Sequence, residues 1–226
     1  MDLTAFRDAC KALGLDLTDE QCEAFVQFET ALYEANQVMN LTRVPAEECW
    51  LRHFADSILL SPHIPEGAAL LDIGCGPGFP AWPLACARPD LHVTALDSSG
   101  KMLSFLKSQL LPNLTVVQAR AEDWGAREWF DVVTGRALAP LPVQMELSAP
   151  AVKVGGIVLP MRTVSERDML QAFRAGVLGC QLEAVHEARL PGTDVIRVFP
   201  VYRKVKKSPA KFPRSWAQIK QNPISS

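Results

Sequence analysis

Short apolar segments that alternate with helix-length stretches constrain the fold of this chain more than any other feature of its sequence. The apolar segments cover residues 68–73, 91–96, 114–117, 130–134 and 156–161. The stretches at 80–88, 100–110 and 143–152 are long enough for crossover helices. Strands that are separated by helices pair in parallel, so this region predicts a parallel sheet with helices on both faces.

The pattern changes after a further helix, which is predicted at about 165–176. Two more strand candidates, Ala184–Leu190 and Val195–Tyr202, flank the dipeptide Pro191-Gly192. Strands joined by so short a turn pair antiparallel. A mostly parallel, seven-stranded, Rossmann-like α/β sheet that ends in an antiparallel hairpin is typical of class I S-adenosylmethionine-dependent methyltransferases. A plain dinucleotide-binding domain does not show that hairpin.

The residues before this region predict a helical extension. Leu3, Phe6, Cys10 and Leu13 fall on one helical face, and Thr18 with Gln21 forms a capping box for a second helix. Pro45 is expected to open a third helix. We therefore divide the chain into an N-terminal helical extension at 1–65, a methyltransferase domain at 66–206 and a basic tail at 207–226. The last ~20 residues of the chain are expected to be irregular.

The formal net charge of −2 hides a strong asymmetry along the chain. Residues 1–66 carry a net −8, residues 67–194 a net −2 and residues 195–226 a net +8 with no acidic residue. Such a basic end predicts contact with phosphate. The six cysteines form no C-x-x-C pair, and no apolar run reaches the ~18 residues of a membrane span. We expect a cytoplasmic monomer with no metal and no membrane attachment.

The segment Asp72-Ile73-Gly74-Cys75-Gly76-Pro77-Gly78-Phe79 follows the first predicted strand. Its three glycines let the backbone turn sharply and leave space for a ligand against bare amides. The dinucleotide fingerprint G-x-G-x-x-G/A would place a small residue at position 79, where this chain has Phe79. The spacing therefore favours S-adenosylmethionine over NAD as the cofactor.

Polar residues at the ends of the next strands complete the predicted cofactor site. Asp97 lies 21 residues beyond Gly76, where doubly wound folds place a carboxylate on ribose hydroxyls. Ala121 and Glu122 follow the third strand, where this fold contacts adenine. Arg136 ends the fourth strand, from which its guanidinium can reach the cofactor carboxylate, a guanine or a phosphate.

Several motifs occur in an order that resembles the bacterial RsmG (GidB) family, methyltransferases of a guanine N7 in the 530-loop region of 16S ribosomal RNA. They are Asn40-Leu41-Thr42, Arg52-His53-Phe54-Ala55-Asp56-Ser57, the glycine segment with Pro80, Leu96-Asp97-Ser98, Gly135-Arg136-Ala137 and Lys211-Phe212-Pro213-Arg214. The resemblance implies S-adenosylmethionine as the cofactor and 16S ribosomal RNA, the small ribosomal subunit or its assembly intermediate as the partner. The expected cofactor contacts are Gly74, Gly76, Gly78, Phe79, Asp97, Ala121, Glu122 and Arg136.

The same resemblance implies a substrate side of the pocket. We expect Arg136 and His53 to be catalytic, and His53 to bond a phosphate or to orient Asp56. The expected substrate-binding residues are Arg52, His53, Asp56, Arg162, Lys206, Lys207, Lys211 and Arg214. Departures from the family are Cys75, Ala81 and Gly135, together with Arg162 where the family commonly has a lysine. An arginine keeps the positive charge there but changes the donor geometry.

Guanine N7 is an unprotonated acceptor, so its methylation needs orientation and no general base. Cytosine C5 methylation uses a nucleophilic cysteine, often in Pro-Cys, and no cysteine here follows a proline. Methylation of exocyclic amines usually shows [N/D]-P-P-[Y/F], where this chain has Thr134-Gly135-Arg136-Ala137. These absences favour N7, but they also fit a small-molecule target.

Three alternatives remain at this point: a methyltransferase of another RNA or of a small molecule, an NAD-dependent oxidoreductase, and a non-catalytic RNA-binding module. An RNA-binding tail predicts that truncation to residues 1–206 lowers activity steeply while cofactor affinity holds. The basic residues there, with Phe212 and Trp216 interleaved, suit phosphate contact and base stacking.

Overall fold

Seven strands form one sheet in the computed structural model, which describes residues 1–224. The strands are β1 Ala69–Ile73, β2 His92–Asp97, β3 Leu114–Gln118, β4 Phe130–Arg136, β5 Val152–Thr163, β6 Cys180–Arg189 and β7 Ile196–Lys204. Their order is β3-β2-β1-β4-β5-β7-β6. The first five strands pair in parallel, and β7 lies antiparallel to both β5 and β6. The predicted class I fold with its terminal hairpin is confirmed.

Eight helices accompany the sheet in the described part of the chain. They are α1 Leu3–Ala12, α2 Asp19–Met39, α3 Asp56–Ile58, α4 Ala81–Ala87, α5 Gly100–Lys107, α6 Leu141–Ser148, α7 Arg167–Ala172 and α8 Trp216–Gln221. The crossovers α4, α5 and α6 lie where the sequence predicts them. The link from β3 to β4, at 119–129, is made of turns instead of a helix, which leaves that part of the sheet to be covered by another segment.

The N-terminal helices share a core with the sheet. The capping box of α2 is confirmed, since Thr18 N–H donates to Gln21 Oε1 at 2.8 Å and Gln21 N–H donates to Thr18 Oγ1 at 3.2 Å. Phe25 of α2 meets Trp82 of α4 with ring centroids 5.3 Å apart. The ring centroids of Phe28 and Phe79 lie 5.8 Å apart. The aromatic side chains of α2 therefore brace the outer side of the glycine segment.

Some of the predicted helices differ from those observed. The helix expected from Pro45 is a 3-10 turn, Ala46–Glu48, followed by a π-helical turn, Trp50–Ala55, which runs into α3. The helix expected at about 165–176 is the shorter α7, between 3-10 turns at Val164–Glu166 and Ala175–Leu178.

The expectation of an irregular C-terminus is wrong for 216–221, because these residues form α8. Ser215 N–H donates to the Gln218 side chain at 3.2 Å in a capping box, and the side chain of Ile219 is fully buried. Local capping and burial of one apolar side chain stabilise this short helix against the fold.

All six cysteines are free and buried, so they serve as small apolar residues of the core. None of the helices in residues 1–224 is long and apolar enough to cross a membrane. The same residues contain no group of three or more His, Cys, Asp or Glu side chains placed to hold a metal ion.

Candidate active site

The glycine segment turns directly after β1 because its glycines adopt conformations that other residues avoid. Gly74 has a φ of 75°, and a Cβ atom there would lie 2.5 Å from Leu138 Cδ1. Gly74 N–H donates to the Leu96 carbonyl at 2.8 Å, which ties the turn to the end of β2. Gly76 and Gly78 complete the turn with φ angles of 55° and 123°. The segment therefore presents bare backbone at the carboxyl ends of β1 and β2.

The carboxylate of Asp97 holds this turn in place. One of its oxygens accepts a hydrogen bond from Gly76 N–H at 2.9 Å, and the other accepts one from Ser99 N–H at 2.7 Å. Each carboxylate oxygen has a further lone pair, so both can still accept a hydroxyl. Ser99, rather than Asp97, caps α5, through a 3.4 Å hydrogen bond from Met102 N–H. Asp97 thus shapes the loop and retains capacity for ribose hydroxyls.

A cleft of about 360 Å³ opens beside Asp97. Four predicted cofactor residues line it: Gly74, Asp97, Ala121 and Glu122. Ile73, Leu96, Ser98, Ala119, Arg120, Ala137, Leu138, Leu147 and Trp216 complete the lining. We call this space the cofactor cleft. Its apolar walls and its two carboxylates suit a purine nucleoside that carries a positive charge.

Asp72 is fully buried at the end of β1, and the sequence analysis used it only for the spacing of the motif. Its Oδ2 accepts a hydrogen bond from Ala81 N–H at 3.0 Å, while its Oδ1 has no partner among the described residues. Burial raises the pKa of this carboxyl to about 7. Its neighbour Ile73 lines the cofactor cleft, and a buried oxygen without a partner at such a place is a candidate functional group. An added positive charge, such as the one S-adenosylmethionine carries, would stabilise the carboxylate there.

A second pocket, of about 480 Å³, lies on the other side of the end of β4. It is lined by Val44, Arg52, His53, Asp56, Arg136, Ala137, Met161, Arg162, Thr163, Glu166 and Arg197. We call it the substrate pocket. Ala137 lines both spaces, with a φ of 52° that costs a residue other than glycine about 1 kcal/mol. The two pockets therefore meet at a strained residue directly after Arg136.

Arg136 is held by three groups from the N-terminal extension. Its Nη1 donates to Asp56 Oδ2 at 3.2 Å and to the Arg52 carbonyl at 3.0 Å. Its Nη2 donates to His53 Nδ1 at 3.1 Å. The guanidinium also lies over the Phe79 ring, with Cζ 5.3 Å from the ring centroid. Arg136 therefore faces the substrate pocket, although it was predicted among the cofactor contacts as well.

His53 is a neutral support for Arg136. Because Arg136 donates to Nδ1, the proton of the ring lies on Nε2, which is 2.7 Å from Thr42 Oγ1. The imidazole stacks on Phe79, with centroids 4.1 Å apart and an angle of 5° between the rings. Burial, and then the charges of Arg136 and Arg52, lower its pKa to about 3. Both ring nitrogens are engaged, so this geometry gives His53 a positioning role rather than proton transfer.

Asp56 joins Arg136 to an arginine that the sequence analysis missed. Arg197 Nε donates to Asp56 Oδ1 at 2.6 Å, and Asp56 is only 2 % exposed. Two guanidinium groups share one carboxylate, so this buried cluster keeps a net positive charge. Arg197 lies near the start of β7. It reaches the site because β7 pairs with β5, with Arg197 opposite Thr163. The only sequence signal was that Arg197 is the first basic residue of the +8 end.

Arg162 stabilises the loop that follows β4. Its Nη1 donates to the Ala139 carbonyl at 2.9 Å and to Glu166 Oε1 at 3.2 Å, while its Nη2 donates to Gln144 Oε1. Gln144 Nε2 in turn donates to the Gly135 carbonyl at 3.0 Å. A Cβ at Gly135 would lie 2.9 Å from that amide nitrogen, which explains a glycine there. The Arg162 side chain thus fixes the wall of the substrate pocket.

The other predicted substrate residues are more dispersed. Arg52 is half exposed at the rim and pairs with Glu48 at 2.6 Å. Lys206, Lys207 and Lys211 are exposed, and Lys207 pairs with Glu128 at 3.0 Å. Arg214 pairs with the buried carboxylate of Glu146 at 2.6 Å. The described residues that line the two pockets include neither these three lysines nor Arg214.

Comparisons with known proteins agree with this geometry. The GidB family model, described as "rRNA small subunit methyltransferase G", matches residues 21–193. The chain is 37 % identical over 229 residues to the ribosomal RNA small subunit methyltransferase G of Acetivibrio thermocellus, covering 96 % of this chain and 95 % of that one. It is 34 % identical to the Bacillus subtilis protein of the same name, covering 99 % of each.

A solved structure shows the same fold at low sequence identity. The TehB-like SAM-dependent methyltransferase of Corynebacterium glutamicum superposes with a TM-score of 0.51 and 19 % identity, covering 66 % of this chain and 86 % of that one. The resemblance drawn from the motifs, and with it the prediction of S-adenosylmethionine as the cofactor, is confirmed. The chain therefore belongs to the rRNA small subunit methyltransferase G (GidB) family.

Proposed function

We propose that the protein transfers the methyl group of S-adenosylmethionine to N7 of a guanine in the 530-loop region of 16S ribosomal RNA. The observation that carries the proposal is the junction at Ala137 between a cleft with carboxylates and a pocket with arginines. The full-length similarity to ribosomal RNA methyltransferases supports the RNA target. The same similarity argues against the NAD-dependent oxidoreductase and the purely RNA-binding module considered from the sequence.

In the cofactor cleft, the residues of this chain bind and orient the methyl donor. Asp97 would accept hydrogen bonds from the ribose hydroxyls, which are among the stronger hydrogen bonds because the acceptor is charged. The carboxyl of Asp72 would face positive charge, and Ala121 with Glu122 would contact the base. When bound, S-adenosylmethionine supplies a methyl group on a positively charged sulfur.

In the substrate pocket, the arginines would hold the RNA by its phosphates. Arg52 and Arg197 are partly exposed there, and Arg136 is fixed between Asp56 and His53. Guanidinium groups match phosphate oxygens in a bidentate manner and keep their charge at any physiological pH. The cluster therefore suits a polyanion that delivers one base toward Ala137.

The absence of a proton to remove favours N7 as the acceptor. The lone pair of N7 would accept the methyl group that bound S-adenosylmethionine supplies, and no proton has to leave the guanine. His53 is neutral with both ring nitrogens engaged, so it suits a reaction that needs no base at that position. Holding the two reactants in line can contribute on the order of 7–11 kcal/mol to such a step.

We further propose that the protein acts in the cytoplasm as a monomer and without a metal. Its partner would be the small ribosomal subunit or an assembly intermediate of that subunit. Methylation of another RNA or of a small molecule remains the alternative that the experiment below must separate, because the same pocket chemistry would serve it.

The test compares ribosomal RNA from cells with and without this protein. N7-methylguanosine is mapped in the 16S RNA by chemical cleavage and mass spectrometry. We expect one guanine in the 530-loop region to lose its N7-methyl group without the protein and to regain it with the wild-type gene, but not with Arg136→Ala. An unchanged map in 16S RNA would contradict the proposal.

A further inference from the structure

The C-terminal segment, residues 207–224, forms one wall of the cofactor cleft. Trp216, the first residue of α8, lines this cleft together with Ala121 and Glu122. Trp216 is 40 % exposed, although Phe212 and Ile219 of the same segment are buried. Its ring is therefore available to a ligand in the cleft.

Several specific contacts hold this segment against the fold. Arg214 donates from its backbone N–H, Nε and Nη2 to the carboxylate of Glu146 on α6, at 3.0, 2.8 and 2.6 Å. Arg127 Nη1 donates to the Phe212 carbonyl at 2.7 Å. Phe212 and Ile219 are buried, and Ile219 packs on Val143 and Leu147 of α6. These contacts show that the segment is packed against the fold and is not a free basic arm.

The segment also covers the part of the sheet that lacks a crossover helix. Residues 119–129 are turns, and Arg127 in this link is the residue that binds the backbone of the C-terminal segment. Arg120 lies over the Trp216 ring with Cζ 5.5 Å from its centroid, and Glu122 holds Arg120 Nε at 2.5 Å. The indole is thus fixed at the same end of the cleft as Ala121 and Glu122.

We propose that Trp216 is a cofactor-binding residue whose indole packs against the adenine of S-adenosylmethionine. The C-terminal segment is then part of the cofactor site rather than an RNA-binding arm. This inference rests on the proposed function only for the identity of the cofactor, a purine nucleoside with a positively charged sulfur. It reverses the expectation from the sequence that a 1–206 truncation keeps its cofactor affinity.

The test measures the dissociation constant of S-adenosylhomocysteine by titration calorimetry on the full chain and on three variants. An aromatic ring stacked on a base contributes enough that its loss weakens binding by about tenfold. We therefore expect Trp216→Ala to raise the dissociation constant by about tenfold and Trp216→Phe to raise it by less than about threefold. Trp129→Ala is the matched control, because Trp129 is a 54 % exposed indole outside the cleft lining, and it should leave the constant unchanged.

Thermal unfolding without ligand establishes that the three variants are folded. An unchanged dissociation constant in folded Trp216→Ala would overturn the inference, and a loss of RNA binding in that variant would return the segment to an RNA-binding role. A wild-type chain that binds S-adenosylhomocysteine but methylates no ribosomal RNA contradicts the proposed function alone. A wild-type chain that does not bind it overturns both.

Discussion

Asp56 is the residue on which the arrangement of the substrate pocket depends. Its carboxylate accepts hydrogen bonds from Arg136 on β4 and from Arg197 on β7, and it is almost completely buried. Removing the charge would leave two guanidinium groups in a poorly solvated place without their shared partner. Breaking a buried pair in this way costs about 3 kcal/mol of stability or more.

We expect Asp56→Asn to lower the rate of methyl transfer by about 100-fold or more, because a misplaced orienting group has an effect of this size. Binding of S-adenosylhomocysteine should change less than about twofold, since Asp56 does not line the cofactor cleft. Single-turnover transfer and calorimetry measure the two quantities. Glu48→Gln is the control, because its pair with Arg52 is exposed and contributes about 1 kcal/mol at most. A wild-type rate in Asp56→Asn would contradict this account.

Asp72 makes the stability of the protein without cofactor depend on pH. Burial first, and then the charge of Asp97, raise the pKa of the Asp72 carboxyl to about 7, from an ordinary value of 3.8. The folded state therefore binds a proton that the unfolded state has lost between these two values. The contribution to stability is fully present below about pH 4 and is lost as the pH rises through about 7.

Asp72→Asn is expected to remove this dependence, because an amide carries no charge at either pH. We compare the free energy of unfolding of the variant minus that of the wild type at the two pH values. This difference should be larger at pH 8.5 than at pH 4.5 by on the order of 3–4 kcal/mol. Urea unfolding of both proteins at the two pH values, without cofactor, measures this difference. The same offset at both pH values would show that the carboxyl titrates normally.

At the scale of elements, Arg162 links β5 to the loop after β4 and to α6. Without it, the buried Gln144 Oε1 and the Ala139 carbonyl each lose a donor. A buried acceptor without its partner costs about 1–3 kcal/mol. The end of β5 thus determines how rigidly the wall between the two pockets is held.

Arg162→Ala should therefore lower the free energy of unfolding by about 2–4 kcal/mol. Arg162→Lys should recover part of this loss, because an ammonium group can satisfy one or two of the acceptors but lacks the fork of a guanidinium. Denaturant unfolding with a common m-value measures both changes. Equal stability of the wild type and Arg162→Ala would mean that the loop does not depend on this side chain.

The elements that the sequence predicts well are those whose signals are local. The strands follow from short apolar runs, and the start of α2 follows from the reciprocal bonds of Thr18 and Gln21. The same signal was present at Ser215 and Gln218, but three prolines in the segment led to the wrong expectation of an irregular end. Arg197 could not be found locally, because only the pairing of β7 with β5 brings it to the site. Thr42 lies in a motif that the sequence analysis names, but its bond to His53 follows only from the fold.

At the scale of the whole molecule, three of the eight basic residues at the C-terminal end have a carboxylate partner of their own in the described part of the chain. Arg203, Lys207 and Arg214 each pair with a carboxylate elsewhere in the chain, whereas Arg197 shares Asp56 with Arg136. Lys204 is buried against the Ala149 carbonyl and Ser208. The +8 charge read from the sequence therefore overstates the free charge that meets RNA, and the rim of the substrate pocket gains importance.

This distribution predicts different effects for two charge reversals. Arg52→Glu should raise the KM for ribosomal RNA by about tenfold or more, since it reverses a charge at the pocket rim where we propose that the RNA phosphates bind. Lys211→Glu, an equal charge change outside both pocket linings, should raise it by less than about threefold. Initial rates at several salt concentrations measure both. Equal effects would restore the C-terminal segment as the main RNA contact.

The central claim is methyl transfer from the cofactor cleft, past Ala137, to N7 of one guanine held in the substrate pocket. The most direct measurement incubates the purified protein with methyl-labelled S-adenosylmethionine and small ribosomal subunits, or their naked 16S RNA, from cells that lack the protein. The RNA is then digested to nucleosides for mass spectrometry. We predict one labelled N7-methylguanosine per RNA with the wild type, and loss of the label with Arg136→Ala while S-adenosylhomocysteine still binds. Label in a different nucleoside, or no label with either RNA, would contradict the account.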